Sequence, residues 1–299
     1  MSKLNVQKPF LKWIGGKSQI LDKIITRFPT KIKNYHDIFL GGGSVLLAVL
    51  SLQKLKKIEI EGDIYAYDIN ENLINVYKQI QSNKDELYNI IEQHIELYHS
   101  LSGIEINRKP ETVLEAKTSK ESYYYWIRNK YNKCEKNTVE SAALFMFLNK
   151  TGFRGLYREG PNGFNVPYGH YKKTPCIIKK SELDTISELI KDVKFIKSDF
   201  RVSFSNVYPG DFAYIDPPYV PETSKSFVGY VIDGFSEEMH DALFNIVNEL
   251  KEIKFVMNNS RVPRVLNFFK DYTYDVVNAR RAINSLKPNS TTTEVIIYN

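Results

Sequence analysis

An acid, two prolines and a tyrosine, Asp216-Pro217-Pro218-Tyr219, follow directly after the apolar run of residues 212–215. Proline ends a β-strand because it has no N–H to donate to the ladder. A strand that stops here would present the carboxylate of Asp216, the carbonyl of Pro217 and the ring of Tyr219 to a ligand. Two acceptors can hold both hydrogens of a planar amine, such as the exocyclic amine of adenine, and a ring can stack on the base.

Such an arrangement would make a poor nucleophile reactive. The lone pair of an aromatic amine is delocalised into the ring, and acceptors outside the base plane favour a pyramidal nitrogen. A methyl sulfonium in line could then accept the attack without a metal ion, with catalysis coming from positioning and a preorganised negative environment. A rigid turn that only ends a strand is the alternative explanation of the same four residues.

Glycines mark two further candidate sites. The triplet at 41–43 follows a predicted strand, and glycine lets the backbone approach a ligand where a side chain would collide. Asp68 ends the next predicted strand, where an acid can accept hydrogen bonds from ribose hydroxyls of an adenosine-bearing cofactor. Trp13 and Lys17, with two glycines between them, could stack on a cofactor and meet its carboxylate. A tight turn and a loop entering a helix are the plain alternatives.

A basic and aromatic segment, residues 149–173, predicts contact with nucleic acid. Arginine can bind guanine with two hydrogen bonds, worth about 1–3 kcal/mol of discrimination, and lysine binds phosphates in a salt-dependent way. An ordinary basic loop over an aromatic core has the same composition. The basic and aromatic residues are Arg154, Arg158, His170, Lys172, Lys173, Phe153, Tyr157, Phe164, Tyr168 and Tyr171.

Strand and helix patterns alternate at both ends of the chain, which predicts a parallel α/β sheet with ligands at the carboxyl ends of its strands. We expect one α/β domain of residues 1–83 and 191–299, interrupted by a mostly helical domain of residues 84–190. The predicted strands are 36–40, 64–69, 193–197, 211–215, 253–258, 272–277 and 293–298. The predicted helices are 45–54 with Ser44 as its cap, 70–81, 84–98, 121–132, 138–148, 236–252 with Ser236 as its cap, and 262–270.

Composition and charge limit the classes of protein to consider. The 299 residues are 42% apolar and 25% charged, an ordinary globular balance. The net charge of +6 permits a nucleic-acid partner without requiring one. Cys134 and Cys176 have no metal-binding spacing and exclude a disulfide scaffold, which suits a reducing, intracellular compartment. Without a signal region or an apolar stretch approaching about 18 residues, we expect no membrane partner.

Five segments, in this order, resemble the DNA adenine methyltransferases of the Dam family, alpha-group amino-methyltransferases of the D12 class. They are FLKWIGGK, DIFLGGGS, YAYDINENLINVY, GFNVPYGHY and DFAYIDPPY, and the similarity covers nearly the whole chain. The resemblance implies a Rossmann-like S-adenosylmethionine-dependent methyltransferase sheet with an inserted, mostly helical DNA-recognition domain. It implies an enzyme that flips one adenine out of a short site in double-stranded DNA and methylates its exocyclic amine.

The resemblance also assigns roles to residues. Those for the cofactor, S-adenosyl-L-methionine, are Trp13, Lys17, Phe39, Gly41, Gly43, the ribose-binding Asp68, Asp199 and Phe200 beside the adenine, and Asp216. Those for methyl transfer are Asp216, Pro217, Pro218 and Tyr219, with Tyr219 stacking on the target base. Those for DNA are Phe153, Arg154, Leu156, Arg158, Pro167, His170 and Lys172. The loop at 226–236 matches a segment that could close over the site.

Departures from the family pattern leave the target sequence open. Ile38 stands where the family has proline. We expect the backbone of the nearby glycines to bind the cofactor at this site, so the change should not affect binding. Arg154 replaces the usual asparagine and His170 the usual arginine, so GATC, CATG and other short sites with an adenine all remain candidates. A cognate restriction endonuclease, the oligomeric state and the compartment, bacterial cytoplasm or a host cell for a viral enzyme, also stay open. A methyltransferase of RNA or of a protein amide and a DNA-binding protein without catalysis are the rival hypotheses.

Overall fold

The computed structural model describes residues 5–222, 234–280 and 291–299. The chain separates into two compact units, the first of Met1–Lys8, Gly15–Ile69 and Asp192–Asn299, the second of Pro9–Ile14 and Asn70–Lys191. These bounds differ from the expected division at 84 and 190, because residues 9–14 and the helix that follows Asn70 make their contacts within the second unit. Within the described residues, each helix is too short or too polar to span a bilayer.

The strands of the described residues are β1 (Lys31–Ile32), β2 (Tyr35–Asp37), β3 (Glu59–Ile60), β4 (Ile64–Asp68), β5 (Glu159–Gly160), β6 (Gly163–Phe164), β7 (Val193–Lys197), β8 (Phe212–Ile215), β9 (Lys254–Ser260), β10 (Thr273–Arg280) and β11 (Thr291–Tyr298). The helices are α1 (Leu21–Ile25), α2 (Ser44–Lys54), α3 (Glu71–Ser82), α4 (Lys84–Ser100), α5 (Val113–Ala116), α6 (Lys120–Lys133), α7 (Val139–Thr151), α8 (Lys180–Ile190), α9 (Phe200–Phe204), α10 (Glu237–Glu249) and α11 (Pro263–Phe268).

The first unit is built on a mixed sheet with the strand order β10-β11-β9-β8-β2-β4-β7 among the described residues. Strands β9, β8, β2, β4 and β7 run parallel, while β11 and β10 are antiparallel to their neighbours. The chain passes from β2 to β4 and β7 on one side, then crosses to β8 on the other. The reversal between β2 and β8 is a topological switch point, where open α/β sheets bind ligands beyond the carboxyl ends. The predicted α/β fold with a Rossmann-like sheet is confirmed.

Of the two predicted helix N-cap residues, one caps its helix and the other does not. Ser236 caps α10 as predicted, its hydroxyl accepting the N–H of Met239 at 3.3 Å. The predicted cap Ser44 is wrong, because α2 begins at Ser44 itself, after Gly43 in the left-handed region at φ 67°. The Ser44 hydroxyl instead accepts the backbone N–H of Lys17 at 3.1 Å, a contact between positions 27 apart that no local pattern contains.

The second unit packs around α7. Its residues from Ser141 to Leu148 are all buried, as expected of a helix that is apolar on every side and surrounded by others. It contacts α3, α4 and α6. The predicted helices of this region are confirmed with small shifts of their ends, whereas α5 and the β5–β6 hairpin are too short to produce a periodic signal.

Asn149 in α7 anchors the segment of residues 9–14. Its Oδ1 accepts the backbone N–H of Lys12 at 2.9 Å, and its Nδ2 donates to the carbonyl of Lys12 at 2.8 Å. Asn149→Ala would leave a donor and an acceptor without partners, so we expect the free energy of unfolding in urea to fall by about 2–4 kcal/mol. The exposed Asn206→Ala should change it by less than about 0.5 kcal/mol. Equal effects of the two substitutions would contradict the anchoring role.

Candidate functional site

Aspartates occur at the carboxyl ends of three neighbouring parallel strands. Asp68 ends β4, Asp37 ends β2 and Asp216 follows β8 directly. Burial raises the pKa of Asp37 well above its usual range, and the charges of Asp216 and Asp68 add to the rise. The Oδ1 atom of Asp37 is buried and has no hydrogen-bond partner among the described residues. Burial and the neighbouring carboxylates therefore favour the neutral form of Asp37 at the switch point.

Lys17 forms an ion pair with Asp216. Its Nζ lies 2.7 Å from Oδ2 of Asp216, with side chains 6% and 17% exposed, and it also donates to the carbonyl of Gly15. The other carboxylate oxygen, Oδ1 of Asp216, is buried without a hydrogen-bond partner in the described ranges. Burial raises the pKa of Asp216 to about 6 against the opposing charge of Lys17. Asp216 can therefore accept a hydrogen bond from a ligand while Lys17 holds it in place.

The chain after Asp216 is held by side chains of β9 and β11. The Tyr219 ring lies with its centroid 4.9 Å from Nζ of Lys17, and its hydroxyl donates to Oε2 of Glu294 at 2.9 Å. The backbone of Val220 is bound on both sides, its N–H by Oδ1 of Asn259 at 3.1 Å and its carbonyl by the hydroxyl of Ser260 at 2.6 Å. The buried Pro217 and the half-buried Pro218 stiffen the same segment.

The glycine turn and the predicted nucleoside residues form a second group in the same unit. The N–H of Gly41 donates to Oδ2 of Asp68 at 2.9 Å, and Gly41 and Gly43 have φ of 50° and 67°, which favours glycine. The Phe39 and Phe200 rings lie 5.9 Å apart between centroids. Asp199, before Phe200, caps α9 by accepting the N–H of the second following residue at 2.9 Å.

Trp13 belongs to the second unit. Its ring centroid lies 5.7 Å from that of Tyr157 and 6.4 Å from that of Phe145, so it is part of the aromatic packing on α7. A stacking role toward a cofactor stays a prediction for this residue.

The predicted DNA-contacting residues lie in one folded segment of the second unit. Arg158 is exposed, and its fork is held by Asn165, with Nε 2.6 Å from Oδ1 and Nη2 3.3 Å from the carbonyl oxygen. Arg154 has φ 56°, and its guanidinium carbon lies 5.2 Å from the centroid of the exposed Phe153 ring. The N–H of Phe153 donates to the carbonyl of Pro167 at 2.8 Å.

The remaining predicted residues of this segment differ in exposure. His170 is exposed at φ 44°, with Nε2 3.7 Å from Oε2 of the buried Glu121. Lys172 is exposed and Leu156 is half-buried. Most of the predicted loop at 226–236, from 226 to 233, lies outside the described residues.

Four residues of this site were not predicted from the sequence: Asp37, Asn259, Ser260 and Glu294. An acid four residues before a glycine triplet is a usable signal for Asp37, and a polar run at the end of an apolar strand is one for Asn259 and Ser260. Glu294 leaves no local signal, because its contact with Tyr219 spans 75 positions and depends on the order of the strands.

Comparison with known proteins identifies the family. Residues 13–283 match the model of the D12 class N6 adenine-specific DNA methyltransferases. The chain is 34% identical over 289 residues to the Type II methyltransferase M.MjaIII of Methanocaldococcus jannaschii, covering 93% of both chains. It is 33% identical over 310 residues to the Type II methyltransferase M1.LlaDCHI of Lactococcus lactis subsp. cremoris, covering 100% of this chain and 97% of the relative. A DNA adenine methylase of Haemophilus influenzae is 29% identical over 282 residues, or 93% and 88% of the two chains. The chain belongs to the D12 class of N6 adenine-specific DNA methyltransferases.

Proposed function

We propose that this adenine-specific DNA methyltransferase uses S-adenosyl-L-methionine and holds the target amine at Asp216. One observation carries the proposal. The Oδ1 atom of Asp216 is buried and has no hydrogen-bond partner among the described residues, whereas Oδ2 is already bound by Lys17. One carboxylate oxygen is thus engaged by the protein, and the other is available to a donor that the chain itself does not supply.

The residues at the strand ends fit such a cofactor. The sulfonium and the ammonium of the cofactor are positive, which suits the carboxyl groups of the three aspartates at this edge. Lys17 pairs with Asp216 and can also bind the cofactor's carboxylate. The turn at 41–43 would let the backbone approach the ligand, and Asp68, which accepts the N–H of Gly41, would also accept from the ribose hydroxyls. When bound, the cofactor would supply an electrophilic methyl group, the N6–CH₃ bond forming as the S–CH₃ bond breaks.

Asp216 and Pro217 supply the acceptors for the amine. The Asp216 carboxylate and the Pro217 carbonyl would each accept one N–H hydrogen bond from the flipped adenine's amine. The Tyr219 ring would stack on the base. With a pKa of about 6, Asp216 is mostly ionised near neutral pH and so begins as an acceptor. The same raised pKa suits it to take the proton that the methylated nitrogen releases.

The test of the proposal is methylation of plasmid DNA by the purified protein with S-adenosylmethionine, followed by sequencing that detects modified bases. We expect N6-methyladenine at one short motif, GATC, CATG or a similar site. Methylation of RNA or of a protein amide, with DNA unmodified, would contradict it. The Type II names of two relatives support a cognate restriction endonuclease, which the methylated plasmid should resist.

Arg158 is proposed to read a base pair of the target. Asn165 holds its fork in a fixed orientation, as bidentate contact with guanine requires. Arg158→Ala should reduce discrimination at one base pair by about 1–3 kcal/mol, measured as kcat/KM on duplexes that differ at that position. Cofactor affinity should be unchanged, and the exposed Arg27→Ala should change neither property. Loss of cofactor binding together with specificity would contradict the role.

A further inference from the structure

Strand β11 reaches the chain that follows Asp216 through two of its side chains. Glu294 accepts the hydroxyl of Tyr219 at 2.9 Å, and the hydroxyl of Thr292 donates to Oε1 of Glu222 at 2.7 Å. Residues two apart on a strand point to the same face, so both contacts come from one face of β11. The opposite face carries the buried Val295, which belongs to the core of the first unit. Glu294 is therefore carried by a strand that the core holds in place.

The Glu294 contact fixes the direction of the Tyr219 ring. A tyrosine ring is set by two side-chain torsions, and a partner at the hydroxyl, the atom farthest from the backbone, restrains both. Asn259 and Ser260 already fix the backbone of the next residue, Val220. Together, these contacts restrain the Tyr219 side chain from its backbone to its tip.

We propose that Glu294 is a positioning residue for methyl transfer, which acts by holding the Tyr219 ring in the orientation that the flipped adenine stacks on. The inference rests on the proposed function, since it assumes that Tyr219 meets the base. It adds a residue outside the Asp-Pro-Pro-Tyr motif, from a strand that runs antiparallel to β9 and lies close to the end of the chain. A ring oriented in advance spares the base the entropy cost of ordering it.

The test is a double-mutant cycle on Glu294 and Tyr219. The variants are Glu294→Ala, Tyr219→Phe and the double variant, and the measurement is single-turnover methyl transfer to a duplex at saturating cofactor. Each single variant should be slower by about 10-fold, which is near the low end for one hydrogen bond to a charged group. Because both remove the same contact, the double variant should be no slower than the single ones. A double variant slower by about 100-fold would mean independent effects and would overturn the inference.

Two further variants separate positioning from a structural role. Glu294→Gln keeps an oxygen that accepts the tyrosine hydroxyl, so its rate should lie within about threefold of the wild type. A rate as low as that of Glu294→Ala would overturn the inference, and the near-isosteric amide makes misfolding a poor explanation of it. Thr293→Ala, on the same strand with its side chain toward Asn278, should leave the rate unchanged. Its slowing to the level of Glu294→Ala would make the effect a general one of β11.

The acid limb of the profile of rate against pH distinguishes a role at the site from a structural one. A change in the packing of β11 alone would not move its midpoint. Among the residues that the structure describes, the titratable groups that face Asp216 are Lys17, Glu294, Asp37, Tyr214 and Tyr219. Glu294→Gln removes one negative charge from this set, so the midpoint of the acid limb should move to lower pH. An upward shift would overturn the inference. A wild type that methylates no DNA would overturn the proposed function as well, whereas independent effects in an active wild type overturn the inference alone.

Discussion

Asp216→Asn is expected to lower the rate of methyl transfer to duplex DNA by about 10²–10³-fold, the usual loss when a preorganised partner of a developing charge is removed. Transfer of the methyl group places a positive charge on the nitrogen of the adenine amine. The Asp216 carboxylate is the group proposed to stabilise this charge. An amide has the same shape but no charge. Its NH₂ group would also face either the amine or Lys17, which are themselves donors.

The rate of a single turnover at saturating cofactor separates this effect from binding. Cofactor affinity, measured by calorimetry, should change by much less than the rate. Asp211→Asn is the matched control, since Asp211 is buried just before the same strand and binds His36 and Asn34 there. It should lower stability and leave the rate per folded molecule near that of the wild type. Near-wild-type turnover by Asp216→Asn would remove Asp216 from the mechanism.

The part of the site that could be predicted from sequence consists of residues at the ends of predicted strands. Asp216 before two prolines and Asp68 at the end of an apolar run each mark where a strand ends, and parallel strands bring such ends to one edge. The fold class follows from the same alternation of strand and helix patterns. These are properties of about ten consecutive residues, so one stretch of chain contains the whole signal.

The part that could not be predicted depends on which strand lies next to which. Lys17 meets Asp216 across 199 positions of chain, and Glu294 reaches Tyr219 only because β11 inserts between β9 and β10. Nothing local to Thr291–Tyr298 distinguishes an antiparallel strand from one more parallel one. The bounds of the second unit differ from the expected ones for a similar reason, because Asn149 binds Lys12 across 137 positions of chain.

Lys17 is the group that favours the ionised form of Asp216 at this edge of the sheet. Asp37 and Asp216 are buried acids near each other, and such acids resist ionising together. An acceptor for the amine must nevertheless be ionised when the substrate arrives. Lys17, paired with Oδ2, lowers the pKa of Asp216 by its charge and its hydrogen bond, against the effect of burial.

Lys17→Met should therefore move the acid limb of the rate profile to higher pH. In the wild type the activity should be lost as the pH falls through about 6, where the Asp216 carboxylate of the free enzyme takes up a proton. Without the ammonium this pKa rises by about one to three pH units, the usual effect of an opposite charge at this distance. At pH 7 between half and nearly all of Asp216 would then be protonated, so activity should drop by about 2- to 90-fold and recover as the pH is raised.

The measurement is kcat/KM for the cofactor as a function of pH, because this ratio reports groups of the free enzyme. Lys17 is also proposed to bind the cofactor, and a loss of binding alone would lower the profile equally at every pH. A change in Asp216 instead moves its midpoint, so the two effects separate in one experiment. Lys17→Arg keeps a cation and should keep the midpoint near that of the wild type, as should Lys23→Met on the exposed side of α1. If Lys17→Met lowered the profile without moving its midpoint, Lys17 would bind the cofactor but would not control the ionisation of Asp216.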